Sequence, residues 1–156
     1  MSKYLKLLAS VVLCEGAGIF GSLLTFSSIT SWYINLNKPF FNPPNSIFGP
    51  VWTILYLLMG ISLYLVWVSP KSKFKKIGIK LFLAQLGLNV LWSLVFFGGK
   101  SPIGGLVVIL PLAFLIYKTI KSFGNISKTS AILLYPYLAW VSFATILNLS
   151  IVILNP

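Results

Sequence analysis

The sequence predicts an all-α integral membrane protein, a bundle of five transmembrane helices with a structured first loop. Of its 156 residues, 58% are hydrophobic and 8% are charged, and its mean hydropathy of +0.96 is too high for an ordinary soluble domain. A helix needs about 20 apolar residues to span a bilayer. Five stretches meet that need, and together they make nearly the whole chain one domain: residues 5–27, 47–68, 79–97, 103–123 and 130–153.

The first predicted helix combines small residues with one carboxyl group. Gly16, Gly18, Gly21 and Ser22 permit close backbone approach, so we expect this face to pack tightly within the bundle or against a second copy. Glu15, the only acidic residue of the chain, lies near the middle of the membrane. An intramembrane carboxyl is either a functional group, such as the coupling group of a proton-coupled transporter, or a protonated side chain that fills a helix contact.

The segment between the first and second helices, residues 28–46, is rich in proline and aromatic residues. Prolines fix φ and remove backbone donors, so this loop is stiff without regular secondary structure. Its aromatic side chains supply a large apolar surface. An ordered aromatic loop at the start of a helix predicts a lid over a binding cavity. The residues concerned, which extend into the second helix, are Trp32, Tyr33, Pro39, Phe40, Phe41, Pro43, Pro44, Phe48, Pro50 and Trp52.

The second, third and fifth helices each carry a stripe of side chains at three- or four-residue spacing, which places the stripe on one face. In the third helix the stripe is polar and comprises Gln85, Asn89 and Ser93. Amides in hydrocarbon need partners, so this face should point into the bundle, either as a helix contact or as a polar wall for a ligand. The other two stripes form either plain packing or cavity walls: Trp52, Tyr56, Gly60 and Tyr64, and Tyr137, Trp140, Ala144 and Asn148.

The fourth helix has no polar stripe, so we expect it to be largely lipid-facing. It contains Pro111, and the fifth helix contains Pro136. Each proline removes a backbone donor and disturbs the carbonyl four residues earlier. We therefore expect a kink at both positions.

All twelve basic residues are lysines, and their distribution predicts the orientation in the membrane. Ten fall at the N-terminus or in and beside the second and fourth loops, whereas Lys38 and Lys100 fall on the other side. The positive-inside rule then predicts a cytoplasmic N-terminus, with the first loop and the C-terminus on the opposite face. The net charge of +11 indicates contact with anionic membrane lipid. We expect no nucleic-acid binding, because the lysines lie in short loops without a folded basic surface.

The composition excludes several kinds of site. The chain has no histidine, one carboxyl group and one cysteine, Cys14. It therefore lacks the ligands for a bis-histidine haem site or a metal cluster and the groups for a hydrolytic triad or a pair of catalytic carboxylates. We expect no metal site, no obligatory cofactor and no acid–base catalytic residue.

Four segments carry more specific motifs. They read W-Y-x-x-L-x-K-P-x-x-x-P-P at residues 32–44, F-G-P-V-W-T-x-L-Y-x-L-M-G at 48–60, L-N-x-x-W-S-x-x-F-F-G at 88–98, and P-Y-L-A-W at 136–140. In this order, the motifs resemble those of the translocator protein family, also called tryptophan-rich sensory proteins or peripheral-type benzodiazepine receptors.

The resemblance implies a five-helix bundle, commonly a homodimer, that binds tetrapyrroles such as protoporphyrin IX and haem, and isoquinoline or benzodiazepine-type ligands. It also implies a role in porphyrin regulation, transport or stress sensing. The implied pocket lies under the first loop, between the second, third and fifth helices. Carried over to this chain, it uses Tyr33, Trp52, Tyr56, Asn89, Trp92, Ser93, Trp140, Phe143 and Ala144. Lys38, the only cation in the loop, is our candidate partner for a propionate.

Two alternatives to a receptor stay open. Some members of the family promote light-dependent breakdown of protoporphyrin, and the implied electron donors here are Trp52 and Trp140. The other alternative is the proton-coupled transporter that uses Glu15. The end of the chain, L-S-I-V-I-L-N-P, lacks the tyrosine and basic residue of the proposed cholesterol motif. We therefore expect a prokaryotic cytoplasmic membrane and, because no histidine is available, a preference for free-base porphyrin over haem.

Overall fold

The computed structural model describes all 156 residues and confirms the all-α class. Five helical segments are long and apolar enough to cross a membrane. The third of them continues through a π-helical turn at Leu94–Gly98, and the fifth is made of two helices. The helices are α1 (Lys3–Ser31), α2 (Asn45–Trp67), α3 (Lys73–Ser93), α4 (Pro102–Gly124), α5 (Lys128–Leu133) and α6 (Tyr135–Leu154).

Two helices are longer than their apolar stretches. α1 continues to Ser31, four residues beyond the predicted end, and the Ser31 hydroxyl donates to the carbonyl of Ser27 at 2.7 Å, as a serine inside a helix can. α3 begins at Lys73, six residues early, because Ser72 caps it by accepting from the backbone N–H of Lys75 at 3.1 Å. The first loop therefore comprises residues 32–44, with a single 3₁₀ turn at Tyr33–Asn35.

The two prolines at which kinks were expected act differently. The last span is interrupted at Leu134, two residues before Pro136, which stands in the first turn of α6. This interruption confirms the expected disturbance, since proline has no N–H to offer the Ile132 carbonyl. Pro111, by contrast, lies inside α4, which runs from Pro102 to Gly124 without interruption.

The expectation that α4 faces lipid was wrong. One face of α4 is buried against α3, where the rings of Phe82 and Phe123 stack with centroids 5.8 Å apart. The Ser122 hydroxyl also donates to the carbonyl of Phe74 at 2.9 Å. The prediction failed because lipid tails and a protein interior are equally apolar. The lack of a polar stripe therefore does not distinguish a lipid-facing helix from a helix that is buried against its neighbours.

The contacts between helices group the loops at two ends of the bundle. At one end, the Lys6 ammonium lies 5.8 Å from the centroid of the Trp67 ring, which brings the N-terminus to the α2–α3 loop. At the other end, Ser28 near the end of α1 donates to the carbonyl of Phe97 at 2.8 Å. The first loop meets the end of α6 at this same end through Asn155. Ten lysines thus lie toward the first end and two toward the second.

α1 and α2 approach each other closely through two glycines. A Cβ on Gly60 would stand 2.7 Å from the Cα of Val11, and one on Gly18 would stand 2.5 Å from the ring of Tyr56. The small residues of α1 therefore serve packing inside the bundle at Gly18, whereas Gly16 has open space around it.

Candidate ligand-binding site

A cavity of about 680 Å³ lies in the half of the bundle next to the first loop. Its walls come from α1, the first loop, α2, α3 with its π-helical turn, and α6, while α4 and α5 contribute nothing. This volume falls within the range of pockets that hold small organic ligands.

The cavity brings together most of the residues that were predicted to bind a ligand. Three predicted residues do not line it. Asn89 lies behind the wall, Phe143 packs between Trp140 and Phe41, and Lys38 lies in the first loop. The predicted residues that do line the cavity are Tyr33, Trp52, Tyr56, Trp92, Ser93, Trp140 and Ala144.

Aromatic rings form much of the wall, and they are held by contacts with one another. Trp52 stacks on Tyr56 with ring centroids 5.5 Å apart, and Trp92 stacks on Phe96 at 5.0 Å. On the α6 side, Trp140 meets Phe48 edge to face at 6.0 Å. Three of the five tryptophans of the chain thus face one cavity, which offers π surfaces to a flat guest.

Behind the aromatic wall, a buried chain of hydrogen bonds joins α2, α3 and α6. The Tyr56 hydroxyl donates to Oδ1 of Asn89 at 2.5 Å, and Nδ2 of Asn89 donates to the Tyr137 hydroxyl at 2.8 Å. Tyr137 in turn donates to Oε1 of Gln85 at 2.6 Å, and Nε2 of Gln85 has no partner. The polar stripe of α3 therefore points into the bundle as expected. Gln85 and Asn89 serve as helix contacts that fix the Tyr56 ring, and Ser93 alone faces the cavity.

A second pair of hydrogen bonds fixes the Trp92 indole. Its Nε1 donates to Oδ1 of Asn148 at 3.0 Å, and Nδ2 of Asn148 donates to the carbonyl of Pro102 at 2.8 Å. Because Asn148 is buried and satisfied on both sides, the indole is held in one orientation at the cavity wall.

The contribution of α1 was not predicted, since the resemblance implies a pocket between the second, third and fifth helices only. The α1 residues of the wall follow helical spacing, a signal that is present in the sequence but that plain helix packing gives as well. Several are exposed, as are Gly49 and Thr53 opposite them on α2, so the cavity is open along the seam between α1 and α2. The α1 residues are Glu15, Gly18, Ile19, Gly21, Ser22, Thr25, Phe26, Ile29 and Thr30.

The first loop contributes Tyr33 to the cavity, and two other side chains of the loop, Asn42 and Lys38, contact Tyr33. Burial raises the pKa of the Tyr33 phenol, which donates a hydrogen bond to Oδ1 of Asn42 at 3.1 Å. The Lys38 ammonium lies 4.7 Å from the centroid of the same ring. It donates to the carbonyls of Leu36 at 3.1 Å and Ile34 at 3.4 Å. Lys38 therefore stabilises the loop in this structure.

The first loop is also clamped to the end of α6 by two asparagines. The backbone N–H of Asn37 donates to Oδ1 of Asn155 at 3.0 Å, and Nδ2 of Asn155 donates to the carbonyl of Asn37 at 2.8 Å. This reciprocal pair fixes the position of the loop above the cavity.

Replacing Asn155 by alanine is expected to loosen the first loop without unfolding the bundle. The change removes both hydrogen bonds to Asn37, so opening of the loop should become about tenfold more frequent. Chymotrypsin cleavage after Phe40, which is fully exposed, reports that opening. The matched control is Asn125→Ala, because Asn125 also follows a helix but bonds only the Lys121 carbonyl within its own turn. Equal cleavage rates for the two variants would show that the asparagine pair does not hold the loop.

Comparisons with known proteins identify similar chains. Residues 10–154 match the model of the TspO/MBR family. The chain is 45% identical to a tryptophan-rich protein TspO of Archaeoglobus fulgidus, with 97% of each chain covered. It is 37% identical to the translocator protein of Homo sapiens over 87% of this chain and 82% of the human one. It is also 34% identical to a tryptophan-rich sensory protein of Cereibacter sphaeroides, over 91% of this chain and 86% of the relative.

Proposed function

Because the chain belongs to the TspO/MBR family of membrane proteins, we propose that it is a receptor for flat aromatic ligands held in the cavity under the first loop. The proposed ligands are tetrapyrroles, protoporphyrin IX first among them, and isoquinoline or benzodiazepine-type compounds. The role that follows is in porphyrin regulation, transport or stress sensing. The relatives named translocator protein and sensory protein fit such a role.

The observation that supports this proposal most directly is the aromatic wall of the cavity. A tetrapyrrole is a flat apolar disc, and Trp52, Trp92 and Trp140 line one cavity of about 680 Å³ that could hold such a disc. No histidine is present to ligate a haem iron. Binding therefore depends on aromatic stacking against the macrocycle and on contacts with the groups at its edge. Free-base porphyrin should then bind more tightly than haem.

The propionates of a porphyrin need a polar or cationic partner, and Lys38 is the proposed one. Its ammonium contacts Tyr33, which lines the cavity, but it is engaged by the carbonyls of Ile34 and Leu36. Contact with a propionate therefore requires Lys38 to exchange these carbonyls for the ligand. We place this end of the bundle opposite the cytoplasm, because ten of the twelve lysines lie toward the other end.

Light-dependent breakdown of bound porphyrin is a second candidate function. The observation that favours it is that Trp52 and Trp140, the two proposed electron donors, both line the cavity. In this proposal an electron-rich indole beside the photoexcited ring donates one electron to it, which leaves an oxidised indole and a reduced porphyrin. Under this proposal the chain needs no acid–base pair.

Protoporphyrin IX is expected to quench the tryptophan fluorescence of the purified protein saturably in the dark, with haem binding more weakly. The reason is that three tryptophans face the cavity and no histidine is present. Illumination of the complex then tests the second candidate through loss of porphyrin absorption, which should be slower in Trp52→Phe and Trp140→Phe. Quenching that does not saturate would contradict the receptor, and equal bleaching with and without the protein would contradict the photochemistry.

A further inference from the structure

Glu15 carries the only side-chain carboxyl group of the chain, and it lines the cavity from α1. It lies three residues before Gly18, on the same helix face, at the point where α1 packs against the Tyr56 ring. No lysine or hydrogen-bond donor of the chain pairs with it. A polar group in an apolar membrane environment is costly unless it finds a partner, so this carboxyl is a candidate contact for a guest.

Three hydroxyls of the α1 and α2 walls are already paired with the backbone. The Ser22 hydroxyl donates to the Ile19 carbonyl at 2.8 Å, and the Thr25 hydroxyl donates to the Gly21 carbonyl at 2.7 Å. On α2, the Thr53 hydroxyl donates to the Gly49 carbonyl at 2.9 Å. Each of these hydroxyls has used its only proton and retains only its acceptor lone pairs. These three hydroxyls therefore present only acceptors to a guest, and the Glu15 carboxyl adds a further acceptor.

No cation balances that carboxyl within the cavity. The chain has twelve lysines, and none of them lines the cavity. Lys38, the cation of the first loop, is held by loop carbonyls instead. The wall at Glu15 therefore favours a guest that brings its own hydrogen-bond donor or positive charge, and it disfavours an anionic group at that position.

We propose that Glu15 is a specificity-determining residue, which accepts a hydrogen bond from an N–H group of the bound ligand. The cavity then selects planar aromatic molecules that carry a protonated or otherwise donating nitrogen over molecules of the same shape without one. A ligand with carboxylate groups enters with those groups away from Glu15, toward the first loop. This inference rests on the proposed function only in requiring that the cavity binds flat aromatic ligands.

The test compares two three-ring probes, 9-aminoacridine, which carries protonated nitrogen, and 9-methylanthracene, which carries none. Dissociation constants are measured by tryptophan quenching at one detergent concentration, for the unmodified protein and for Glu15→Gln. Because each probe is compared with itself, its partition into micelles cancels. We expect the dissociation constant of 9-aminoacridine to rise about tenfold or more, since its cationic N–H then meets a neutral amide oxygen in place of a carboxylate oxygen. That of 9-methylanthracene should change less than about twofold.

The matched control is Gly16→Ala, which alters the next residue of α1 but meets open space and does not line the cavity. It should leave both dissociation constants unchanged. Glu15→Leu serves as a second variant if Glu15→Gln folds poorly, and it should show the same selective loss. An equal effect on both probes would show that Glu15 only shapes the cavity, and no effect on either would remove it from binding. Both results overturn the inference.

The same titration separates this inference from the proposed function. A protein that discriminates the two probes through Glu15 but does not bind protoporphyrin IX would contradict the tetrapyrrole proposal alone. A protein that binds protoporphyrin IX without discriminating the probes would contradict the role of Glu15 alone.

Discussion

Replacing Ala144 by phenylalanine is expected to abolish porphyrin binding while the bundle stays folded. Ala144 lies on α6, one turn after Trp140, and its methyl group faces the cavity. A phenyl ring at this position would fill space that the guest needs. We expect the dissociation constant for protoporphyrin IX to rise at least about a hundredfold, which corresponds to about 2.7 kcal/mol. The measurement is tryptophan quenching, together with the thermal unfolding midpoint of the empty protein.

The matched control for this change is Ala139→Phe. Ala139 lies on the same helix, is exposed, and does not line the cavity, so the same ring is added on the outside of the bundle. This variant should bind porphyrin as the unmodified protein does. If the two variants bound porphyrin equally well, the guest would have to sit elsewhere.

Replacing Gly60 by alanine is expected to destabilise the bundle, although it adds only one methyl group. The new Cβ would stand 2.7 Å from the Cα of Val11 and 3.2 Å from the carbonyl oxygen of Ser10. These are backbone atoms, so α1 itself would have to move away from α2. Overpacking of this kind costs about 1–3 kcal/mol. For a chain of this size, we expect the unfolding midpoint to fall by about 3–10 °C.

Gly16→Ala is the control for this substitution as well, because it brings the same gain in helix propensity with nothing within 4 Å of the new Cβ. Its unfolding midpoint should stay unchanged or rise slightly. If Gly60→Ala left the midpoint as high as Gly16→Ala does, the close contact of α1 with α2 would not limit the stability of the protein.

Hydropathy was sufficient to predict the five spans, but it did not predict which surfaces they bury. The spans were predictable because a bilayer demands about 20 apolar residues from each. The buried face of α4 was not predictable, since the apolar rings of Phe82 and Phe123 are equally suited to contact with each other and to contact with lipid tails. The ends of α1 and α3 were missed for a related reason: Ser31 and Lys73 are polar but still helical.

The cavity was predictable where its residues are chemically distinctive. Trp52, Tyr56 and Trp140 stand in aromatic stripes that sequence spacing reveals. The wall from α1 is made largely of small residues, whose pattern also fits plain helix packing, so it was not assigned to the cavity. Lys38 was assigned to a ligand on charge alone. Its carbonyl partners depend on how the first loop folds back on itself, and the spacing of residues in the sequence does not show that fold.

The asparagine clamp links positions 37 and 155, which lie 118 residues apart in the chain. Chains are synthesised from the N-terminus, and contacts form as their partners become available. Asn155 follows α6 directly, so it emerges only after α1 to α6 have been made. The first loop is therefore synthesised early but fixed late, and this end of the cavity is completed only once the last helix has joined the bundle.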